Sequence, residues 1–451
     1  MEHEELFLEL QQILNSNDPA KLREFLHDQQ PADIAEFLEA LRPAQRRQIF
    51  GALNGELAAL VLGELKQEVA GAILVALSPI RLNQILAAMS VDDVVDLLGD
   101  LSEVLKERIL GLMAAEDASE IEELLAYKED TAGGIMTTEY VAFPQDITAA
   151  RAIQILREIA PDAETVYYVY VIDARGALVG VISLRELIVA EPSSQVKEIM
   201  HKKVISVDVQ TDQEEVARLV SRYNFLAVPV IDDKGVLVGI VTVDDIIDVI
   251  QEEATEDFYR LAGAGEVTES PQWGARLISA VKSRLPWLII TMLEGLLAGY
   301  VLGGLEAELQ AIVALAFFIP LLTGMGGNVG TQSSTLTVRG LATGSLDLDS
   351  LWPVVVREGL VGVALGLFFG FMVGGIAAGW QQNLMLGLVV GLAMLGNMTT
   401  AAVMGTLVPM LFKRLGIDPA VASAPFISAS IDITGLLIYA NLATLLINYL
   451  L

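Results

Sequence analysis

The C-terminal part of this chain is almost free of charge. From Leu285 to Leu451 it holds eight Asp or Glu and four Lys or Arg, separated by long apolar runs. A helix needs roughly 20 apolar residues to cross a bilayer. Five segments reach that length, approximately 285–305, 309–338, 354–379, 384–411 and 421–449. Where no water is available, backbone amides must pair within their own segment, so these runs read as five membrane helices.

The remainder is opposite in character. The formal charge is −30; the C-terminal part contributes −4, so residues 1–284 carry −26. A surface this acidic repels nucleic acid and attracts counter-cations. No cysteine is present, which excludes disulfides and thiolate metal sites and fits a reducing compartment. The start, MEHEELFLEL, is acidic and lacks the basic-then-apolar order of a signal peptide. Lys282 and Arg284 precede the first span, Arg339 and Arg357 flank the loop after the second, and Lys413 and Arg414 follow the fourth. The positive-inside rule then predicts a cytoplasmic N-terminal region and an external C-terminus.

Within the acidic region, residues 1–130 show apolar residues at three- and four-residue spacing, punctuated by Pro and Gly, and read as a stack of short helical hairpins. Residues 131–253 contain a repeat: VYVIDARGALVGVISLRELI (169–188) matches VPVIDDKGVLVGIVTVDDII (228–247) at an offset of 59. Each copy reads strand, turn, strand, then a helix capped by Ser183 or Thr242. Residues 254–284 connect this pair to the spans at 285–451, and WGARLISAVKSRL within them is basic and amphipathic, suited to a membrane surface.

Three constellations carry chemistry. Asp432 stands alone in PFISASIDITGLLIYANLATLL. An aspartate at a helix centre costs about 2.5–3.5 kcal/mol on insertion scales, so it faces a cavity, a partner or a pathway. Ser428, Ser430 and Thr434 offer oxygens on nearby turns. The second motif, PLLTGMGGNVGTQSSTL, interleaves glycines with Asn328 and other amide and hydroxyl groups. Broken backbone of that kind lines cavities or is buried in protein. The third is a set of acid runs: Asp92, Asp93 and Asp96; Glu214 and Glu215; Asp244, Asp245 and Asp248; then Glu252, Glu253, Glu256 and Asp257. Each run alone reads as a solvated face; three at domain junctions also fit bridging cations.

These motifs, in this order, resemble the MgtE-type magnesium channels and transporters. The resemblance rests on the pattern Pro320, Gly324, Gly326, Gly327, Asn328, Gly330, Gln332, on DITGLLIY from Asp432 to Tyr439, and on the acidic run closing the second repeat. The two repeat copies resemble cystathionine-β-synthase (CBS) domains. The implied fold is a multidomain α-helical membrane protein, with a cytoplasmic superhelical helical N domain, an α/β CBS pair and five membrane helices. The chain departs from the family pattern at Ile431 and Ala424.

The resemblance implies passive, Mg²⁺-selective influx across the inner cell membrane through a homodimer whose pore lies at the subunit interface. Asp432 is then the pore Mg²⁺ site, with Ser428 and Asn328 beside it. Asp92, Asp96, Glu214, Asp245, Glu253, Glu256 and Asp257 match positions where cytosolic Mg²⁺ closes relatives. Tyr168, Arg185, Glu186 and Phe225 match positions that contact ATP, which makes ATP a candidate regulatory ligand. Mg²⁺ prefers octahedral oxygen ligands and gives up water reluctantly, and all three His lie outside the spans, which suits neither Zn²⁺ nor Cu⁺.

The main alternative is a membrane-anchored CBS sensor of Mg²⁺ or nucleotide without transport of its own; the oxygen-rich second span argues against a plain anchor. An anion channel conflicts with Asp432. No phosphate-binding GxxxxGK[ST] loop and no HExxH motif is present, so neither a pump nor an intramembrane enzyme is expected.

Overall fold

The computed structural model describes all residues except 1, 17, 100, 160–164, 265–272, 305–312, 349–350, 422–423 and 451. The chain divides into two compact units, Met1–Gln251 and Glu252–Leu451.

The first unit opens with short helices: α1 (Glu2–Ser16), α2 (Pro19–His27), α3 (Pro31–Ala40), α4 (Pro43–Ala52), α5 (Gly55–Gly63), α6 (Gln67–Ala76), α7 (Pro79–Leu86), α8 (Val91–Gly99), α9 (Glu103–Leu110) and α10 (Ala115–Leu124). Their starts are written in the sequence. Proline at the first position lacks an amide the helix would leave unpaired anyway, and it opens α2, α3, α4 and α7. Asp18, Asn54 and Ser78 cap α2, α5 and α7 by accepting from first-turn amides. Helices pack on those two places along, α2 on α4, α3 on α5, α4 on α6, α5 on α7 and α6 on α8. This is a superhelical stack around Leu10, Leu26, Ile34, Phe37 and Phe50, all fully buried.

The repeat follows. Its first copy holds β1 (Ala142–Pro144), α11 (Ala149–Ile159), β2 (Tyr168–Ile172), β3 (Leu178–Ser183), α12 (Leu184–Val189) and α13 (Val196–Ile199). The second holds β4 (Val207–Asp208), α14 (Gln213–Tyr223), β5 (Ala227–Ile231), β6 (Leu237–Thr242) and α15 (Val243–Leu261). Each sheet has three strands, with the middle strand parallel to the first and antiparallel to the third. The connecting turns place Gly176 at φ +82° and Gly235 at φ +78°, a left-handed conformation that glycine adopts without steric cost. These turns also join the copies: Leu178 donates to the Gly235 carbonyl at 3.0 Å and Leu237 to the Gly176 carbonyl at 3.1 Å. The copies exchange flanking segments too. Thr137, ahead of the first copy, pairs with Ile240, and His201, ahead of the second, pairs with Val181.

In the second unit five helices are long and apolar enough to span a membrane. They lie in α16 (Trp273–Gly303), α17 (Ile319–Ala342) with a preceding 3₁₀ turn (Val313–Phe318), α18 (Leu351–Gln381), α19 (Leu384–Arg414) and α20 (Ala424–Leu450). Two local expectations change. The basic amphipathic stretch is no separate surface helix; α16 runs on through Pro286 into the first span. Nor do the glycines of the second span break it: α17 is continuous through Gly324–Gly330, and the irregular piece is the 3₁₀ turn before it. With no water to satisfy a broken ladder, a helix keeps its own hydrogen bonds, and its glycines let neighbours approach closely.

The same use of glycine recurs between α18 and α19. Gly362, Gly366, Gly370 and Gly374 share one face of α18, where a Cβ at Gly370 or Gly374 would lie 2.6 Å from the carbonyl of Gly391 or Gly387. At the end of α15, Gly263 adopts φ +65° and lies so close to Pro425 of α20 that a Cβ would meet its Cγ at 2.6 Å. Arg260 pairs with Glu256 on its own helix and with Asp418 before α20. This part of the connector is thereby fastened to the foot of α20; residues 265–272 of the connector lie outside the described residues.

Candidate functional site

Asp432 sits about a third of the way along α20, half-buried, with its Oδ1 buried and without a hydrogen-bond partner. It faces the glycine motif. At Gly327 a Cβ would stand 2.5 Å from Ser428 Oγ and 3.9 Å from Asp432 Oδ1. Ser428 and Asp432, one turn apart on α20, thus close over the bare backbone of α17. The neighbouring departure from the family pattern has a packing role: Ile431 is fully buried, and its Cδ1 fills the space beside Gly330. The side chain of Ala424 lies outside the described residues. Ser430 and Thr434 donate back to the carbonyls of Phe426 (2.9 Å) and Ser430 (2.6 Å).

Asn328 is adjacent in sequence but not in direction. It is exposed, and so are Gly324 and Gln332, which stand four residues to either side. Within one chain α17 therefore presents a polar stripe outward, next to the face that meets Asp432.

Sequence reasoning missed Asn397. It lies in α19, 1% exposed, and donates through Nδ2 to the Leu322 carbonyl at 2.6 Å. That bond fixes the amide's orientation and leaves Oδ1 without a partner, wedged where Gly326 and Gly435 leave room. Only the paired absence of side chains at Gly326 and Gly435 could have signalled it. Asn397→Leu removes a buried hydrogen bond to a carbonyl that keeps only its helical partner, which costs about 0.5–1.5 kcal/mol. Thermal unfolding of the detergent-solubilised protein should show lower stability; an unchanged midpoint would mean the bond carries nothing.

The first unit contains a second concentration of acids. Asp92, 9% exposed with Oδ1 unpartnered, and Asp93 lie in α8; Asp244 and Asp245 open α15. Burial, then the charges of Asp92, Asp244 and Asp96, push Asp245 up to about 8, although Thr242 donates to its carboxylate at 2.5 Å. Burial also raises Asp92, with Asp244 adding to the effect and Ser90 opposing it. Asp93 is raised by burial and by Asp92, Glu64 and Asp244. The structure therefore brings three expected ligands, Asp92, Asp96 and Asp245, into one electrostatic neighbourhood, and adds Glu64, which the sequence did not single out. Glu214 lies in the first turn of α14. Glu253, Glu256 and Asp257 lie further along α15, with Glu256 bound to Arg260. Among the described residues no three acids or histidines converge closely enough to hold a metal as they stand.

Of the nucleotide-contact candidates, Tyr168 pairs across the sheet with Ser183, whose hydroxyl caps α12 beside Arg185 and Glu186. Glu186 accepts from the Ser183 amide (2.9 Å) and hydroxyl (2.7 Å) and meets His201 Nε2 at 2.7 Å. Partial burial works against ionisation, but these bonds bring Glu186 down to about 2. Phe225 belongs to the second copy, where it stacks on Tyr223 with ring centroids 5.4 Å apart. Glu186 and Asp245 occupy equivalent positions, 59 residues apart, yet their affinities for a proton diverge in opposite directions.

Comparison with known proteins places these features in context. Residues 319–442 match the family model MgtE, described as a divalent cation transporter; residues 29–130 match the MgtE intracellular N domain; residues 132–193 and 196–252 each match the CBS domain. The magnesium transporter MgtE of Thermus thermophilus is 45% identical over 80% of this chain and 80% of its own. That of Enterococcus faecalis is 45% identical over 74% of this chain and 73% of its own. A crystal structure of the cytosolic domain of the Mg²⁺ channel MgtE in complex with ATP shares 43% identity, with a TM-score of 0.53, covering 54% of this chain and 99% of that one.

Proposed function

The chain belongs to the MgtE family of divalent cation transporters, and on that premise we propose that it conducts Mg²⁺ passively into the cell and is closed by cytosolic Mg²⁺. The observation that carries the reading is Asp432. A carboxylate with an unpartnered buried oxygen, set over the bare backbone of Gly327 in a membrane-length helix, is suited to a cation and to little else. Mg²⁺ keeps much of its water, so a carboxylate with Ser428 beside it needs no complete protein cage.

The polar stripe on α17 supports a homodimer. Asn328 and Gln332 are outward-facing amides in a membrane span; such groups face protein or water rather than lipid. A second copy meeting this face puts the pore at the subunit interface, with Asp432 contributed from each side. The orientation follows from the flanking bases, with residues 1–284 cytoplasmic and the C-terminus outside.

Closure rests on the acids. When ionised, Asp92, Asp96 and Asp245 repel one another in the absence of cations; a divalent ion shared among them favours the compact arrangement, and its differential affinity shifts the equilibrium. Glu214, Glu253, Glu256 and Asp257 extend the regulatory set. ATP is a regulatory ligand at the Tyr168, Arg185 and Glu186 edge, with Phe225 in the second copy, in keeping with the ATP complex of the relative.

The test is Mg²⁺ uptake by purified protein in liposomes loaded with a Mg²⁺-sensitive dye. Uptake should occur at low Mg²⁺ on the face of the acidic domains and fall at least tenfold as that concentration is raised. Uptake that never occurs would favour an anchored sensor. Uptake that ignores Mg²⁺ on that face would remove the gating half of the proposal.

A further inference from the structure

Glu294 is the only charged residue between Leu285 and Gly303. Along this stretch of α16 most side chains are exposed, and the exceptions fall on one stripe: Trp287, Thr291, Glu294, Ala298 and, at its end, Val301 and Leu302, each three or four residues from the last turn's member. That spacing is one face of a helix, and the helix against which α16 packs is α20. Glu294 therefore points along the covered side of an otherwise bare span, toward the helix that carries Asp432. The two carboxylates lie within Coulombic reach of each other. Asp432 keeps one buried oxygen without any partner, and no base lies in the first or last span to neutralise either acid.

We infer that Glu294 and Asp432 form a two-carboxylate cation site within each chain, in which Glu294 sets the preference for divalent over monovalent ions. Two like charges held close in a membrane interior repel, and only a ligand of matching charge relieves both. A hydrated divalent ion cancels the pair, whereas a sodium ion leaves one charge uncompensated. In outer-sphere contact the second carboxylate accepts hydrogen bonds from water bound to the ion, which suits a cation that dehydrates reluctantly. The inference rests on Asp432 lying in the ion pathway, as proposed above.

The experiment compares wild type, Glu294→Gln, Glu294→Asp and Asp432→Ala in liposomes, measuring the Mg²⁺ concentration for half-maximal uptake and the ratio of Mg²⁺ to Na⁺ permeation. Glu294→Gln is nearly isosteric and should raise the half-saturating concentration about tenfold and lower the Mg²⁺ to Na⁺ ratio by a similar factor, the scale of one partly screened charge. A residue that only packs α16 on α20 would alter the amount of active protein and leave the ratio alone. Wild-type half-saturation and ratio in Glu294→Gln, with Asp432→Ala inactive, would overturn this inference and leave the pore assignment standing. Full activity in Asp432→Ala would overturn the pore assignment itself. Should Glu294→Gln not yield monodisperse protein, Glu294→Asp decides: drawing the charge back by one methylene shifts half-saturation at least about threefold if the carboxylate meets the ion, and an unshifted value refutes it.

Discussion

Asp432→Ala should abolish the proposed Mg²⁺ influx, by at least about a hundredfold at any driving force, while the protein still folds. Truncating one side of a buried charged interaction costs about 3–5 kcal/mol, which is roughly a hundredfold or more, and Glu294, the other acid within Coulombic reach, leaves a single charge where the proposed site needs two. Ser430 and Thr434 are engaged with helix carbonyls, and Asn397 already spends its donor on Leu322. Stability should move the other way. An acid in a span carries an insertion cost of about 2.5–3.5 kcal/mol, so the variant should melt no lower than the parent in the absence of Mg²⁺. Loss of flux with unchanged or higher melting temperature separates an ion ligand from a packing residue. Retained flux would mean that the ion takes another route.

The second large effect concerns Asp245. Its carboxyl is raised to about 8 in the folded protein against an ordinary value of 3.8. The folded state therefore holds this proton more tightly than the unfolded chain does. The stabilisation it gives is complete below about pH 4, declines as pH rises toward about 8, and is gone above that. Burial is the main cause, with the charges of Asp92, Asp244 and Asp96 adding to it and Thr242 partly offsetting them. A shift of this size is worth on the order of 5 kcal/mol before the junction relaxes. In chelator, the first unit's melting temperature should fall by at least about 5 °C between pH 5.5 and 8.5. Asp245→Asn should melt higher than the parent at pH 8.5 and flatten that dependence. Mg²⁺ should stabilise the parent most at high pH, where the carboxylates are charged. A parent whose melting temperature rises with pH in chelator would contradict this account of the junction.

Much of this was legible in the chain itself. Five spans, the repeat at an offset of 59, Ser183 as a cap and Asp432 as an isolated acid each follow from local patterns whose period or spacing is a physical signature. What was illegible is what depends on contact at a distance. The glycines of the second span look like helix breakers, yet Gly326, Gly327 and Gly330 are spaces for Asn397, Ser428 and Ile431; a sequence shows the missing side chain but not the neighbour that uses the room. Asn397 and Glu64 escaped notice for the same reason, since each matters only through residues far along the chain. The acid runs were visible, but their grouping was not: Asp92 and Asp245 meet although 153 positions separate them.

The duplicated unit has a property that neither copy would have alone. Glu186 and Asp245 stand at one address in two copies of the same scaffold, each hydrogen-bonded to the hydroxyl that precedes its helix. One copy surrounds the acid with donors and fixes its charge; the other surrounds it with acids and leaves its charge to the ambient solution. An electrometer needs such a pair, a reference electrode held at constant potential and a measuring electrode that follows the medium. A change in protons or divalent cations acts on one. The repeat thereby sets one scaffold address in two electrostatic surroundings, one that favours the charged acid and one that opposes it.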